Sequence, residues 1–539
     1  MAIDADTERN ASDALWLEPG ESLPDQVQEH LADPKNSPAA IGERIGRYLR
    51  WLLAHPQSHN PSYRERYQRL IDDLGNLTAR QAYIVVNAFT GLNSSQGFEQ
   101  MPERPDLQFP RDHAPKLRSQ VGWHFFVGSC WDDAGHEYGV EMMLFRQAAL
   151  PPELAAEAGL SDLENQIVEL QLAISRAGDR HYQADPVVVA GTSGLLLVEE
   201  DPLHYQLGCN EIRLERTDRF APLSVRASGI DRGQRPPARL AIDLRFDDAR
   251  GVLLQGKDGC MPCIAGSGSL YYSIPGLRLA AGSTLTIAGK QVSLRDGLFW
   301  FDHQWGFLSG NSQSEVLRAA INQNAPAPAG WDWFMAQFDT NNSLTMFAPH
   351  SAKHAAFYQQ TANEPGIMTA PVIGKLMDEA GDLHDCGGTM TVDRWARAER
   401  SPDPDIFPAT GVWHPARWTF AFDERVPETI RNFTFEPLCL DQSNFFANGA
   451  QYREGAVVIH DSAGNQIGRG FAEAVAYADP TANRLRLTGL PDDLGPVIQP
   501  TEASLARRIW SFAYLMAHQA DLKEVFANAP GSELWTEAS

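Results

Sequence analysis

Asp302 and His303 stand within Gly297-Leu298-Phe299-Trp300-Phe301-Asp302-His303-Gln304-Trp305-Gly306, where four of the ten residues are aromatic. A carboxyl group buried among rings rises in pKa, and a carboxylic acid still protonated near neutral pH suits general-acid chemistry. Ring faces beside it offer their quadrupoles to a cationic intermediate. The same pair has a plainer reading: a strand-end Asp bonding backbone amides and a His packed in a core. Read as a strand, the segment places Leu298, Trp300, Asp302 and Gln304 on one face, with Phe299, Phe301, His303 and Trp305 on the other.

A second cluster precedes it. In Ser269-Leu270-Tyr271-Tyr272-Ser273 the paired tyrosines point to opposite faces of a strand. Either one faces a cavity and offers a phenolic hydroxyl, or one is core and the other surface. A third runs from Tyr452-Arg453-Glu454-Gly455 to Gly468-Arg469-Gly470-Phe471-Ala472-Glu473 and Tyr477. Glu454 and Glu473 fall on strands expected to pair. They form a functional carboxylate pair, or one of them binds Arg453 or Arg469 structurally.

Other signals are weaker. Cys260-Met261-Pro262-Cys263 is a single CxxC without a second pair or a histidine at zinc spacing, so it reads as free thiols in a loop. Neither a dinucleotide or phosphate loop nor a nucleophile elbow is found. The expectation is therefore an enzyme without cofactor or catalytic metal.

The elements that must position these residues change character along the chain. Residues 1–39 read as a mobile acidic arm, and 40–111 as a helical segment in which Ile41, Ile45, Tyr48, Leu49 and Leu52 share a face. Beyond Asp112 the period becomes two, as in Leu240, Ile242, Leu244 and Phe246, and later in Trp418, Phe420 and Phe422. One helix is predicted among the strands, over Ser161–Ala177, carrying Leu163, Ile167, Leu170 and Ile174. Residues 491–539 return to helix period. Gly122-Trp123-His124-Phe125-Phe126 and Gly330-Trp331-Asp332-Trp333-Phe334 each open a strand, polar turn, strand unit. This echo predicts two antiparallel β domains, 112–285 and 286–490, each a barrel or sandwich of eight to ten strands.

Length and charge set outer limits. The chain has 539 residues, 45 Lys and Arg against 69 Asp and Glu, and a formal net charge of −24. A chain of that length needs more than one core. The acidic excess argues against nucleic acid or an anionic membrane surface as partner. No apolar run reaches the length of a membrane span, and the acidic first residues do not form a secretory leader, so a cytoplasmic location is expected.

In their order, the clusters resemble the hydroxyneurosporene synthase family, also called the carotenoid 1,2-hydratase or AttH-like family. The matching segments are Gly122–Phe145, Leu254–Gly259, Ser269–Pro275, Gly297–Gly306, Gly330–Phe347 and Tyr452–Tyr477. The resemblance implies a mainly β fold of two lipocalin-like domains, here with helical additions at both ends, and a hydrophobic small-molecule substrate. It implies hydration of an isoprenoid or prenyl double bond, with Asp302, in the W-x-D-x-x-W pattern, as proton donor. Cyclisation or isomerisation of a natural-product precursor, or non-catalytic carriage of an apolar molecule, are the alternatives. His303 or Tyr272 would orient water. Tyr271, Trp300, Gln304, Trp305, Trp331, Trp333, Phe334 and Trp123 would contact substrate. Family members commonly carry a Lys shortly after the glycine matching Gly259, where this chain has Cys260 to Cys263.

Overall fold

A computed structural model describes residues 98–477, apart from 307–327, 352–363, 400–410 and several shorter stretches, together with three isolated positions upstream. The acidic arm, the helices expected between Ala40 and Ala88 and the C-terminal helix lie outside the continuously described residues.

Two antiparallel sheets make the fold. Along the middle of the first run, in spatial order, Gln166–Arg176, Glu137–Ala148, Val121–Asp132, Lys290–Gly306 and Gly268–Leu279, followed by Ala238–Asp248 and Leu223–Asp231. The sheet curls around one core that includes Phe126, Leu144, Ile174, Leu244, Tyr272, Phe299 and Phe301. The second sheet orders Asn432–Pro437, Trp413–Phe422, Leu383–Arg397, Met368–Met377, Ser343–Ser351, Pro328–Phe338, Gln466–Val475 and Gln451–Asp461. Asn432–Pro437 also pairs with Gln451–Asp461, which closes an eight-stranded barrel. Its interior is filled by Phe334, Trp418, Phe420, Phe433 and Phe435 among others, as expected at this strand number.

Both Gly-Trp units are hairpins, Val121–Asp132 with Glu137–Ala148 and Pro328–Phe338 with Ser343–Ser351. The mainly β, two-unit architecture expected from the alternating pattern is what forms. The helix expected over Ser161–Ala177 does not. Gln166–Arg176 is a strand paired with Glu137–Ala148 on one side and with His181–Gln183 and Val187–Ala190 on the other. The spacing of Ile167, Leu170 and Ile174 also suits a strand buried on both faces, and partners on both edges decide for it. The expected division at 285/286 falls inside the first sheet. Lys290–Gly306 pairs with Val121–Asp132 and Gly268–Leu279, and sheet membership changes only across 307–327.

The two units pack face to face through a third apolar cluster that joins Phe125, Val127, Met143 and Trp300 to Trp333, Met335, Ala456 and Phe471. Gly139 makes the close approach possible, since a Cβ there would lie 2.3 Å from the Ala456 methyl. Among the described residues no helix is long and apolar enough to cross a membrane.

Candidate functional site

Lys290–Gly306 divides its side chains as the alternation predicts. Trp300 and Asp302 face the second barrel, whereas Phe299, Phe301, His303 and Trp305 face the core of the first sheet. Asp302 is 2% exposed. Trp300 Nε1 donates to its Oδ1 at 2.7 Å and the Tyr271 hydroxyl to its Oδ2 at 2.6 Å, while Ser273, its cross-strand partner, donates to Oδ1. Burial raises the Asp302 carboxyl to about 6, and the three donors limit the rise. Tyr271 is itself held by the second barrel, because Trp333 Nε1 donates to its hydroxyl at 2.9 Å. Indole, phenol and carboxyl thus form one line of hydrogen bonds from barrel to sheet.

Facing this line is a patch of glutamates. Trp333, Glu473 and Glu454 are direct neighbours across three strands of the second sheet, which puts successive Cβ atoms about 5 Å apart. Glu141 meets them from the first sheet, two residues from Met143, the neighbour of Phe125. Its carboxylate accepts from the Tyr452 hydroxyl at 2.7 Å and from Asn444 Nδ2 at 2.6 Å. Burial raises Glu473 to about 8, against the Trp331 indole that donates to it at 3.3 Å. Glu141 and Glu454 are also raised, first by burial, and Glu454 further by its two acidic neighbours. Among the described residues neither Glu454 nor Glu473 binds an arginine. Arg469 pairs with Glu137 across the inter-unit seam at 2.9 Å, and Arg453 lies over Trp418 inside the barrel. The functional alternative for this glutamate pair is the one the geometry keeps open.

The expected residues divide into two groups. Asp302, Tyr271, Trp300, Gln304, Trp331, Trp333 and Trp123 share the inter-sheet face, with Trp123, its stacked neighbour Phe145 and Trp331 half-buried. Gln304 is tied to Ser269 at 2.6 Å. His303, Tyr272 and Trp305 face the other way and do not join Asp302. His303 stacks on His124 at 3.9 Å and on Trp305 at 4.5 Å, and Tyr272 bonds His113 Nδ1 at 2.7 Å. Burial keeps His113 and His124 near 3 and lowers His303 as well, so this is a neutral packing cluster. Phe334 likewise packs inside the second barrel against Trp418 and Phe420. The cause is strand parity: residues adjacent in sequence cannot share a face. The sequence does not single out Ser273 or Glu141 as site residues, and the strand carrying Glu141 is buried on both faces, so alternation gives no signal there.

Residues 100–366 match the AttH-like family's sequence profile. The matched segment contains every element of the first sheet and the first hairpin of the second. A crystal structure of a Nitrosomonas europaea protein provisionally named AttH superposes with a TM-score of 0.51 at 19% identity, covering 70% of this chain and 99% of that one. The kievitone hydratase of Nectria haematococca gives a TM-score of 0.46 at 14% identity, over 70% of this chain and 95% of its own. No curated protein is similar enough to match. The matched segment supplies Asp302, Tyr271 and Trp333, whereas Glu454 and Glu473 come from beyond it.

Proposed function

We propose that this AttH-like chain is a cofactor-independent hydratase that adds water to a carbon–carbon double bond of an apolar terpenoid or prenylated small molecule. The observation that carries the reading is the placement of a buried carboxyl, Asp302, among Trp300, Tyr271 and Trp333 at the seam between two sheets. Trp123, Phe145 and Trp331, half-buried around the same face, supply an apolar approach to it. Covering Asp302 with substrate removes more water and raises its pKa further, which favours the protonated form. The acid then gives its proton to the less substituted alkene carbon. The tertiary cation left on the other carbon lies against indole faces, which stabilise it. A water held by the Glu473 carboxyl, which burial keeps protonated at neutral pH, attacks that carbon and loses its extra proton to the Asp302 carboxylate left by the first step. This restores the acid. His303 and Tyr272 take no part, because they stand on the far face of the sheet.

Asp302→Asn keeps the shape and the donors while removing the proton. Turnover of a prenylated substrate is expected to fall about 10²–10⁴-fold. In heavy-oxygen water the product of the unaltered protein should carry the label. Product formed without label would move the reading to cyclisation or isomerisation, and full activity in the Asn variant would remove Asp302 from the mechanism.

A further inference from the structure

A second polar site lies on the same seam, away from the acid. Leu298 and Asp302 share a strand face four residues apart, about 13 Å along the strand. Around Leu298 opens a cavity of about 250 Å³ lined by Asp248, Arg250, Gly276, Arg278, Gln337, Phe338 and the turn Asn341 to Ser343. Gln337 ties the barrel to the first sheet at the cavity's edge. Its Oε1 accepts from the Gly276 amide at 2.7 Å, and its Nε2 donates to the Phe299 carbonyl at 3.3 Å. Gly276 holds φ +68°, and a Cβ there would meet the Arg250 side chain at 2.5 Å. The glycine thus admits Arg250 to the seam.

The cavity is cationic in a chain of net charge −24. Arg250 spends its guanidinium on neutral acceptors of the second barrel: the Asn341 carbonyl at 2.5 Å, the Ser343 hydroxyl at 3.2 Å and the Asp378 carbonyl at 2.6 Å. Among the described residues Arg278 makes no hydrogen bond or ion pair, although Asp248 is its cross-strand neighbour. Asn342, 2% exposed, donates from Nδ2 to Thr340 Oγ1 at 2.9 Å and leaves its Oδ1 buried without a partner. Two guanidinium groups face one carboxylate, and a buried acceptor waits for a donor. A ligand that satisfies both needs anionic oxygens and a hydroxyl on one small centre. The volume accommodates such a group with several waters, each taking about 30 Å³.

We propose that this cavity binds a hydrogen phosphate group, held by the free guanidinium of Arg278 and donating its hydroxyl to Asn342 Oδ1. Arginine matches phosphate oxygens in pairs. The group is either inorganic phosphate or the head of a phosphate monoester.

The test is thermal unfolding of the full chain at pH 6, where about half of a phosphate monoester still carries a hydroxyl, in increasing phosphate with sodium chloride holding the ionic strength. A saturable rise of roughly 2–5 °C is expected. Arg278→Ala, at an exposed position without partners, should abolish it while leaving the phosphate-free midpoint unchanged. Sulfate, which carries no hydroxyl at this pH, should need at least about tenfold higher concentration, since it leaves Asn342 unpaired. A parallel titration uses phenyl phosphate. Saturation by inorganic phosphate supports a site for the free ion, and saturation by phenyl phosphate alone supports an esterified head group. No saturable rise with either, a rise that Arg278→Ala retains, or equal response to sulfate overturns the proposal.

Discussion

At the scale of single residues, Asp302 is defined by a contest between burial and donors. Burial wins, leaving its pKa at about 6 instead of the usual 3.8. A proton donor with that value is charged above it, so kcat/KM is expected to fall as pH rises through about 6, by about tenfold per unit beyond. A pH profile measured in the free-enzyme regime checks this, and a flat profile between pH 6 and 7.5 would count against Asp302 as the donor. Glu473→Gln preserves size and mimics the protonated carboxyl that burial favours. We expect kcat near pH 6 to change by less than about threefold, while the decline near pH 6 persists because Asp302 is intact. The aromatic-flanked carboxyl was legible in the sequence, since parity alone separates Asp302 from His303. Its true partners were not. Glu473 lies 171 positions downstream, and only the packing of one sheet on the other brings it near.

At the scale of elements, the seam between the units is fastened by polar groups that sequence periodicity does not reveal. Asn444 bridges it twice, donating to Glu141 at 2.6 Å and holding His181 Nε2 through its Oδ1 at 2.7 Å. Gln183 exchanges two bonds with the Phe445 backbone at 2.9 and 3.1 Å. Asn444→Ala strands both buried partners, so a loss of about 2–3 kcal/mol is expected in urea unfolding. The first sheet and the barrel should then separate into two transitions. A single transition with unchanged midpoint would show that the apolar cluster alone fastens the units. Gln166–Arg176 has hydrophobic spacing that fits either period, and pairing on both of its edges settles it as a strand.

At the scale of the whole molecule, buried carboxyls set how stability responds to pH. Burial raises Glu473 to about 8 and Asp332 to about 7, with Glu141 and Glu454 raised alongside. Their native pKa values exceed the unfolded ones, so the native state binds more protons over that window. Their contribution is complete below about pH 4.5 and is lost as pH rises through the native values. The buried histidines act in the opposite sense. His113, His124 and His414 are held near 3, so they penalise folding only below the unfolded value of 6.5. Between pH 6.5 and 8.5 the carboxyls act together with the buried thiols of Cys130 and Cys386, whose ionisation burial also opposes, and both lower stability as pH rises. The thermal midpoint should fall across that interval by roughly 3–6 °C, or about 1–2 kcal/mol, and Glu473→Gln should flatten the decline. A midpoint that rises between these pH values would contradict the buried state of the patch.

Two kinds of information are now separable. The alternating runs, the repeated Gly-Trp hairpin and the aromatic setting of Asp302 were fixed by the chain itself, because strand periodicity and side-chain direction are local properties. Which residues share a site was not local. Strand parity sent His303, Tyr272, Trp305 and Phe334 into the two cores, and the docking of sheet on barrel gathered Asp302, Tyr271, Trp333, Glu473, Glu454 and Glu141. Burial of that seam gives the carboxyls their shifted pKa values, and burial exists only after the two units have packed.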